Sequence, residues 1–314
     1  MQGAVGRRDI VILGVFVADT SYRAERLPRM GETLMGRSFA LGPGGKGSNQ
    51  AVAAARAGGR AHLVTRLGRD AFAAMAREVW AEAGVLPEVT EDDAATGAAF
   101  IFVEDASGDN AIIIAPGAAG RIGPADVEAR APLFAGAAVV MTQLEQPLPA
   151  ARRALQIGRE GGATTILNPA PAAPLDDALL ALCDIVTPNE TEAEALTGLP
   201  VATLDEAATA AAALRARGAK AALITLGARG ALWQDAARTV HIPALDAGPV
   251  VETTGAGDAF AGGFATALAE GQDPVTATRF GCATAALAVT RPGTAAAMPG
   301  RTDIDALLTR TTTG

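Results

Sequence analysis

The chain of 314 residues is poor in the side chains that build most metal and nucleophile sites, with two cysteines and two histidines. Cys183 and Cys282 lie far apart and have no metal-ligand spacing. They read as small buried hydrophobes of a reducing compartment. His62 and His241 are equally isolated, which leaves almost nothing from which to assemble a zinc centre or a Ser-His-Asp triad. Positive charge is scarce too. A net charge of −8 and a pI near 4.9 argue against a nucleic-acid or anionic-membrane partner. Any anionic ligand must then be held locally, by helix ends and single basic residues. Long apolar runs are also missing. "RRDIVILGVFVAD" loosely imitates a secretory signal, but Asp9 interrupts its flank and Ile10-Val11-Ile12 reads as a buried strand. No other stretch approaches the ~20 apolar residues of a membrane span. The expected location is the cytoplasm.

What the chain does have is 49% hydrophobic residues, enough for a sizeable core in one large domain or two ordinary ones. Strand-like runs at Ile10–Val17, Ala61–Leu67, Ala137–Thr142, Thr164–Leu167, Ile185–Val186 and Ala221–Thr225 alternate with Ala-rich helical runs. The helical runs are Gly47–Ala57, Ala71–Ala83, Pro149–Glu160, Leu175–Leu182, Glu190–Leu196 and Leu204–Ala216. Such alternation predicts an α/β fold with a parallel sheet covered on both faces, and ligands at the carboxyl ends of its strands. Two stretches break the rhythm. "ATGAAFIFVEDASGDNAIIIAPG" reads as strand, polar turn, strand, with strands at Ala98–Val103 and Ala111–Ala115. "DTSYRAERLPRMGETLMGRSFAL" reads as short extended pieces punctuated by Pro28 and Gly31. Together they predict a small antiparallel sheet over the main one, a lid that would exclude water from the chemistry. From Asp273 onward another apolar helix follows, then a surface helix and a frayed tail.

Several motifs sit where such a sheet would collect its loops. "LGPGGKGSNQAVAAARAGG" contains Gly42-x-Gly44-x-x-Gly47 before an amphipathic helix, formally a dinucleotide fingerprint. No acidic partner follows about 20 positions on, and a P-loop is missed because Lys46 is followed by Gly47. A glycine turn leading into a helix would also account for the pattern. Lys46, Ser48 and Asn49 would supply donors for a neutral polyhydroxylated ligand, and Lys46 is one of only two lysines. A nicotinamide-dependent oxidoreductase built on this turn is the alternative from another enzyme class.

In "TPNETEAEALTG", Thr187 can cap a helix with Pro188 at its first position and Glu190 closing a capping box. The alternative is that Asn189 and Glu192 place magnesium and phosphate through waters. In "LITLGARGALW", Thr225, Gly227 and Gly230 suit a tight turn after a strand, or a bed for a nucleotide's phosphates. Glu145 in "MTQLEQP" reads, alone, as a solvated loop carboxylate. The most pointed motif is "ETTGAGDAFAGGF". If Gly255, Ala256 and Gly257 form the first turn into a helix starting near Asp258, their N–H groups make an anion pocket at the positive end of the helix dipole. A cap needs one acceptor, not flanking glycines that strip side chains from the approach. A carboxylate beside such a pocket suits phosphoryl transfer to a hydroxyl, with Asp258 taking the alcohol's proton. A sensor on the same scaffold would have no need of such a base.

"GPGGKGSNQAVAAARAGG", "NPAP", "TPNETEAEALTG", "LITLGARG", "TTGAGDAF" and "AVTRPG" occur in the order and spacing of the ribokinases, within the wider ribokinase-like carbohydrate kinases. The resemblance runs from about Ile10 to the last helix. It implies a single kinase domain over 1–314, a three-layer α/β sandwich with a mostly parallel central sheet and a small antiparallel β-lid from about 18–41 and 96–117. The lid would pair protomers into a homodimer. The implied reaction is ATP- and Mg²⁺-dependent phosphorylation of a sugar hydroxymethyl group, at O5 for ribose. Fructose, 2-keto-3-deoxygluconate and nucleosides are rival acceptors. By motif, Asp258 resembles the base, with Gly255, Ala256 and Gly257 as the anion hole. Asp19, Gly45, Lys46, Asn49 and Glu145 resemble sugar-binding positions. Asn189, Thr225, Gly227 and Gly230 (with Gly257) resemble nucleotide-binding ones, and Glu192 the residue that supports magnesium. The chain departs from the family pattern in three places. Val17 stands where an asparagine is usual, Glu252 where a monovalent-cation loop usually carries aspartate, and Ala297 where serine is frequent. Thr254, Ala288, Arg291 and Gly293 could still offer carbonyl oxygens to K⁺.

Overall fold

A computed structural model describes residues 8–311. Arg7 and the expected tail beyond Thr311 lie outside the described residues. In chain order the strands are β1 (Asp9–Leu13), β2 (Val17–Ala24), β3 (Ser38–Gly44), β4 (Arg60–Leu67), β5 (Leu86–Glu91), β6 (Thr96–Glu104), β7 (Asn110–Gly117), β8 (Val139–Thr142), β9 (Thr164–Leu167), β10 (Ile185–Val186), β11 (Ala221–Thr225), β12 (Ala231–Gln234) and β13 (Thr239–Ile242). The large sheet has nine strands in the order β13-β12-β11-β10-β9-β8-β1-β4-β5. All its pairings are parallel except the two at one edge, β11–β12 and β12–β13. Buried Val, Ile and Leu fill the parallel strands, and the Ala-rich helices cover both faces. One apolar cluster extends from Ile10 to Leu307.

The strand order reverses between β1 and β8: the chain first builds outward through β4 and β5, then returns to the other side of β1. Such a switch opens a crevice at the carboxyl ends of the strands, and it is there that the site residues gather.

The expected strand Ile10–Val17 is split. β1 stops at Leu13 because the next residue, Gly14, crosses the start of the Lys46–Arg56 helix. A Cβ on Gly14 would lie 2.5 Å from the Cα of Gly47, a contact only glycine tolerates. Val17 then opens the second sheet, whose order is β3-β2-β6-β7. Both irregular stretches contribute to it as expected, but its central pairing, β2 with β6, is parallel, while β2–β3 and β6–β7 are antiparallel. The helix expected over Leu175–Leu182 is shorter, Asp177–Leu180. Ala71–Ala83 and Leu204–Ala216 form as read. No helix among the described residues is long and apolar enough to cross a membrane.

Candidate active site

Two helices bring the site together. The Ala256–Ala269 helix packs on the Lys46–Arg56 helix through its small residues: a Cβ on Gly262 would fall 2.5 Å from the Cβ of Ala53 and 2.6 Å from the carbonyl oxygen of Gln50. On its other side Gly263 lies against Thr284, 2.3 Å from where its Cβ would be. The glycines inside the "AGGF" run thus permit close helix contact, and that contact carries Asp258 to the start of the neighbouring helix. There Asn49 Nδ2 donates to Asp258 Oδ2 at 3.1 Å and Gln50 Nε2 donates to Oδ1 at 3.0 Å. Asp258 is buried. Burial pushes its carboxyl above the usual range, opposed by the Lys46 charge and by the two amide donors.

The helix begins at Ala256, with Gly255 as N-cap at φ 82°, so Asp258 sits in its first turn rather than at its start. The amide of Ala256 donates to the carbonyl of Thr253 at 3.2 Å. The amides of Gly255, Gly257 and Asp258 have no acceptor among the described residues. The Cβ direction of Gly257 opens into empty space. A ring of bare N–H groups at the positive end of a long helix therefore faces a cavity of about 170 Å³. Lys46, Asn168, Asn189, Glu192 and Thr225 line the same cavity with Asp258.

On the small sheet, Asp19 and Val17 lie two residues apart on one strand and so share a face. Asp19 rests directly on Gly44, whose Cβ would collide with its carboxylate at 2.2 Å, and Val17 Cγ1 stands 3.0 Å from where a Gly97 Cβ would be. Burial lifts the Asp19 carboxyl to about 6. Glu145, read alone as a solvated carboxylate, is instead tied into the site: its Oε2 accepts the backbone N–H of Lys46 at 2.7 Å. Burial lifts its carboxyl to about 7; the Lys46 amide and charge oppose this, and the charges of Asp258 and Asp19 add to it. Gly45 makes the turn into the Lys46 helix at φ 88°.

The helix after β10 is capped two residues later than the Thr187–Glu190 box suggests. Asn189, not Thr187, is the N-cap: its Oδ1 accepts the Glu192 amide at 2.8 Å, and Glu192 Oε2 accepts the Asn189 amide at 2.9 Å. Asn189 and Glu192 therefore have a structural occupation in addition to their place on the cavity. Burial raises the Glu192 carboxyl. Thr225 bridges to Asn189 in parallel register. Gly227 and Gly230 form the turn after β11, and a Cβ on Gly230 would meet the Ile242 carbonyl oxygen at 2.1 Å. Packing against β13 alone demands that glycine.

Ser48 leaves the ligand-binding set. Its hydroxyl accepts the Trp80 indole N–H at 2.8 Å, wholly buried on the core side of the helix. Lys220 is paired with Asp184, and both cysteines are buried and unpaired. Glu252 lies on a loop beside 289–293, where its amide donates to the Val289 carbonyl at 3.2 Å and its Oε2 accepts the Gly293 amide at 2.8 Å. The Ala288 carbonyl accepts the Arg291 amide, while those of Thr254, Arg291 and Gly293 accept no donor among the described residues. Sequence reasoning missed Gln50, Gln143 and Asn168. The "NPAP" motif after β9 was the available signal for Asn168, which accepts from Gln50 Nε2 at 3.1 Å and donates to the Thr187 carbonyl at 2.8 Å.

The profile of the pfkB family carbohydrate kinases matches residues 7–301. A ribokinase of Haemophilus influenzae is 38% identical over 94% of this chain and 96% of its own length. A deoxyribokinase of Salmonella typhimurium is 37% identical over 93% and 95%. Among solved structures, Arabidopsis thaliana ribokinase complexed with ribose and ATP superposes with a TM-score of 0.91 at 31% identity, covering 96% of this chain and 99% of that one. The chain belongs to the pfkB family of carbohydrate kinases.

Proposed function

We propose that this kinase transfers the γ-phosphoryl group of ATP to the hydroxymethyl oxygen of a pentose, making ribose 5-phosphate from ribose. The observation that carries the reading is the meeting, on one cavity, of the Asp258 carboxylate with the unbonded amides of Gly255 and Gly257. In this scheme the acceptor oxygen forms its bond to phosphorus as the bond from phosphorus to the ADP oxygen breaks, and Asp258 takes the hydroxyl proton. The bare amides and Lys46 stabilise charge on the transferring group. Asp19, Asn49 and Glu145 hold the sugar, the small sheet closes over it as a lid, and Asn189, Thr225 and the Gly227 turn carry the nucleotide. Both Asp258 oxygens accept amide donors and one Glu192 oxygen is spent on its cap. The other Glu192 oxygen is then the one cavity carboxylate oxygen with no donor among the described residues, a sparse set that fits Mg²⁺ held mainly by phosphates and water, while the second lone pairs of the Asp258 oxygens remain for the acceptor's proton. The ion would neutralise phosphate charge. At the 252–254 and 288–293 loops, Glu252 and three undonated carbonyls fit a K⁺ ion, with the Ala288 carbonyl already engaged.

One observation favours 2-deoxyribose as a second acceptor. Val17 shares its strand face with Asp19, so a sugar hydroxyl facing Val17 has no partner there, at a cost of roughly 1–3 kcal/mol. A coupled ADP-release assay over ribose, 2-deoxyribose, fructose and nucleosides, with and without K⁺, tests both readings. Val17→Asn is expected to raise kcat/KM for ribose relative to 2-deoxyribose by about tenfold. No turnover of any pentose would end the first reading, and an unchanged ratio in Val17→Asn would end the second.

The lid also supports a homodimer. Register places Tyr22, Phe39, Phe100 and Ile113 on one face, with the Tyr22 ring tilted against both Phe39 and Phe100 at centroid distances of 5.1 and 5.4 Å. Ile113 is 68% and Phe39 57% exposed, the kind of apolar patch that marks an interface. Sedimentation of the wild-type protein should show a dimer and Ile113→Asp a monomer; a wild-type monomer at micromolar concentration would refute the pairing.

A further inference from the structure

We propose that Gln50 is a positioning residue for phosphoryl transfer, its side-chain amide holding Asp258 ionised and aimed, and that Gln143 fixes which way that amide points. The inference rests on Asp258 acting as the base. Gln50 is wholly buried in the first turns of the Lys46–Arg56 helix. Both hydrogens of its Nε2 are in use, one on Asp258 Oδ1 at 3.0 Å and one on Asn168 Oδ1 at 3.1 Å.

The direction of this chain follows from charge. An ionised carboxylate only accepts, so Gln50 must present its NH₂ end to Asp258 and its carbonyl end away from it. That carbonyl accepts from Gln143 Nε2, in the loop directly after β8. Gln143 is wholly buried as well, and its own Oε1 has no donor among the described residues. An unpartnered buried carbonyl is costly. It is retained where turning Gln143 around would set two carbonyls against each other and release Gln50. The charged groups facing Asp258 from its neighbours are Lys46 on the same helix as Gln50, Glu145 after β8, and Glu192 on the helix after β10. Two of the three are carboxylates, so the ammonium alone does not hold a further negative charge there. The neutral donors of Asn49 and Gln50 supply the remainder.

The pH dependence of acceptor kcat/KM at saturating ATP separates positioning from mere packing. Wild type, Gln50→Met, Gln50→Glu, Gln143→Leu and Asp258→Asn would be compared, each with its thermal midpoint. Gln50→Met removes the donor at similar volume. It is expected to lower kcat by about tenfold to a hundredfold and to move the acid limb upward by about one pH unit, because the ionised form loses a hydrogen bond. Gln50→Glu should move the limb further, since a second carboxylate then faces Asp258. Gln143→Leu should move it in the same direction by less, and it carries the test alone if the Gln50 variants do not fold. KM for ATP should stay unchanged throughout. An acid limb that stays in place in these variants, even with lower kcat, overturns the proposal. Full activity in Asp258→Asn would instead remove the base reading beneath it.

Discussion

Asp258→Asn is expected to lower kcat by about 10³-fold or more, within the range that a positioned general base contributes, while leaving ATP binding intact. The substitution keeps the shape of the side chain and removes its capacity to take a proton. Its effect on stability should be small, because two opposing changes coincide. A buried carboxylate, raised in pKa by that burial, is replaced by a neutral group, which relieves desolvation. Against this, asparagine has one acceptor oxygen where the carboxylate offers two, so either Asn49 or Gln50 loses its partner. That loss costs about 1–3 kcal/mol. The bare amides of Gly255 and Gly257 and the Lys46 ammonium are untouched, so the phosphate end of the site should still bind nucleotide. Initial rates of ADP release give kcat, and calorimetric titration with ATP gives the affinity. A variant that keeps more than about a tenth of wild-type turnover would show that the proton leaves by another route, and one that no longer binds ATP would show that Asp258 anchors the nucleotide rather than the acceptor.

Much of the scaffold is legible in the sequence because it is periodic. Runs such as Ala61–Leu67 and Ala221–Thr225 announce buried strands, and the stretch Ala71–Ala83 announces its helix to the residue. β5 escaped because "LPEVTE" is a partly exposed edge strand with polar residues at half its positions. The end of β1 escaped for a different reason: nothing in "ILGVFV" reveals that Gly14 will be crossed by a helix that begins at Lys46. The same distinction runs through the site. Asp258 was readable from the glycines around it, and Asn49 from its helix start. That they touch across 209 residues of chain is a product of topology, and so is the contact between Glu145 and Lys46. Ser48 shows the converse error. Its position suggested a ligand donor, but a helix turns about 100° per residue, so its hydroxyl points to Trp80 while Asn49 points to Asp258. The Thr187 cap failed because Asn189 and Glu192 satisfy the same spacing two residues further on, and local pattern cannot rank two equivalent boxes. Gln50 and Gln143 carry no chemistry of their own and become visible only once their partners are in place.

The four glycines of "GPGGKG" invite a further expectation, since they are interchangeable in the motif and unequal in the fold. Gly45→Ala, whose Cβ would meet the Val15 carbonyl oxygen at 2.5 Å on a backbone at φ 88°, should be damaging, and so should Gly47→Ala. A Cβ on Gly47 would lie 2.5 Å from Gly14 Cα, 2.9 Å from Gly14 C and 2.9 Å from Val15 N. All three are backbone atoms at the end of β1, so no side chain can swing aside; the helix start must move off the sheet. Overpacking of this kind costs roughly 1–3 kcal/mol of stability. The larger effect falls on turnover. Lys46, Asn49 and Gln50 ride on that first turn and contact Glu145 and Asp258, and a displacement of about 1 Å in a positioned site costs on the order of 10²-fold in rate. Gly42 provides the control. No atom lies within 4 Å of its Cβ direction and its φ is not positive, so Gly42→Ala should stay within about 0.5 kcal/mol of wild type and keep its activity. Thermal unfolding and ADP-release rates for the pair decide the matter. Equal behaviour of the two variants would mean that the close crossing of Gly14 and Gly47 is not what sets the distance between the helix and the catalytic carboxylate.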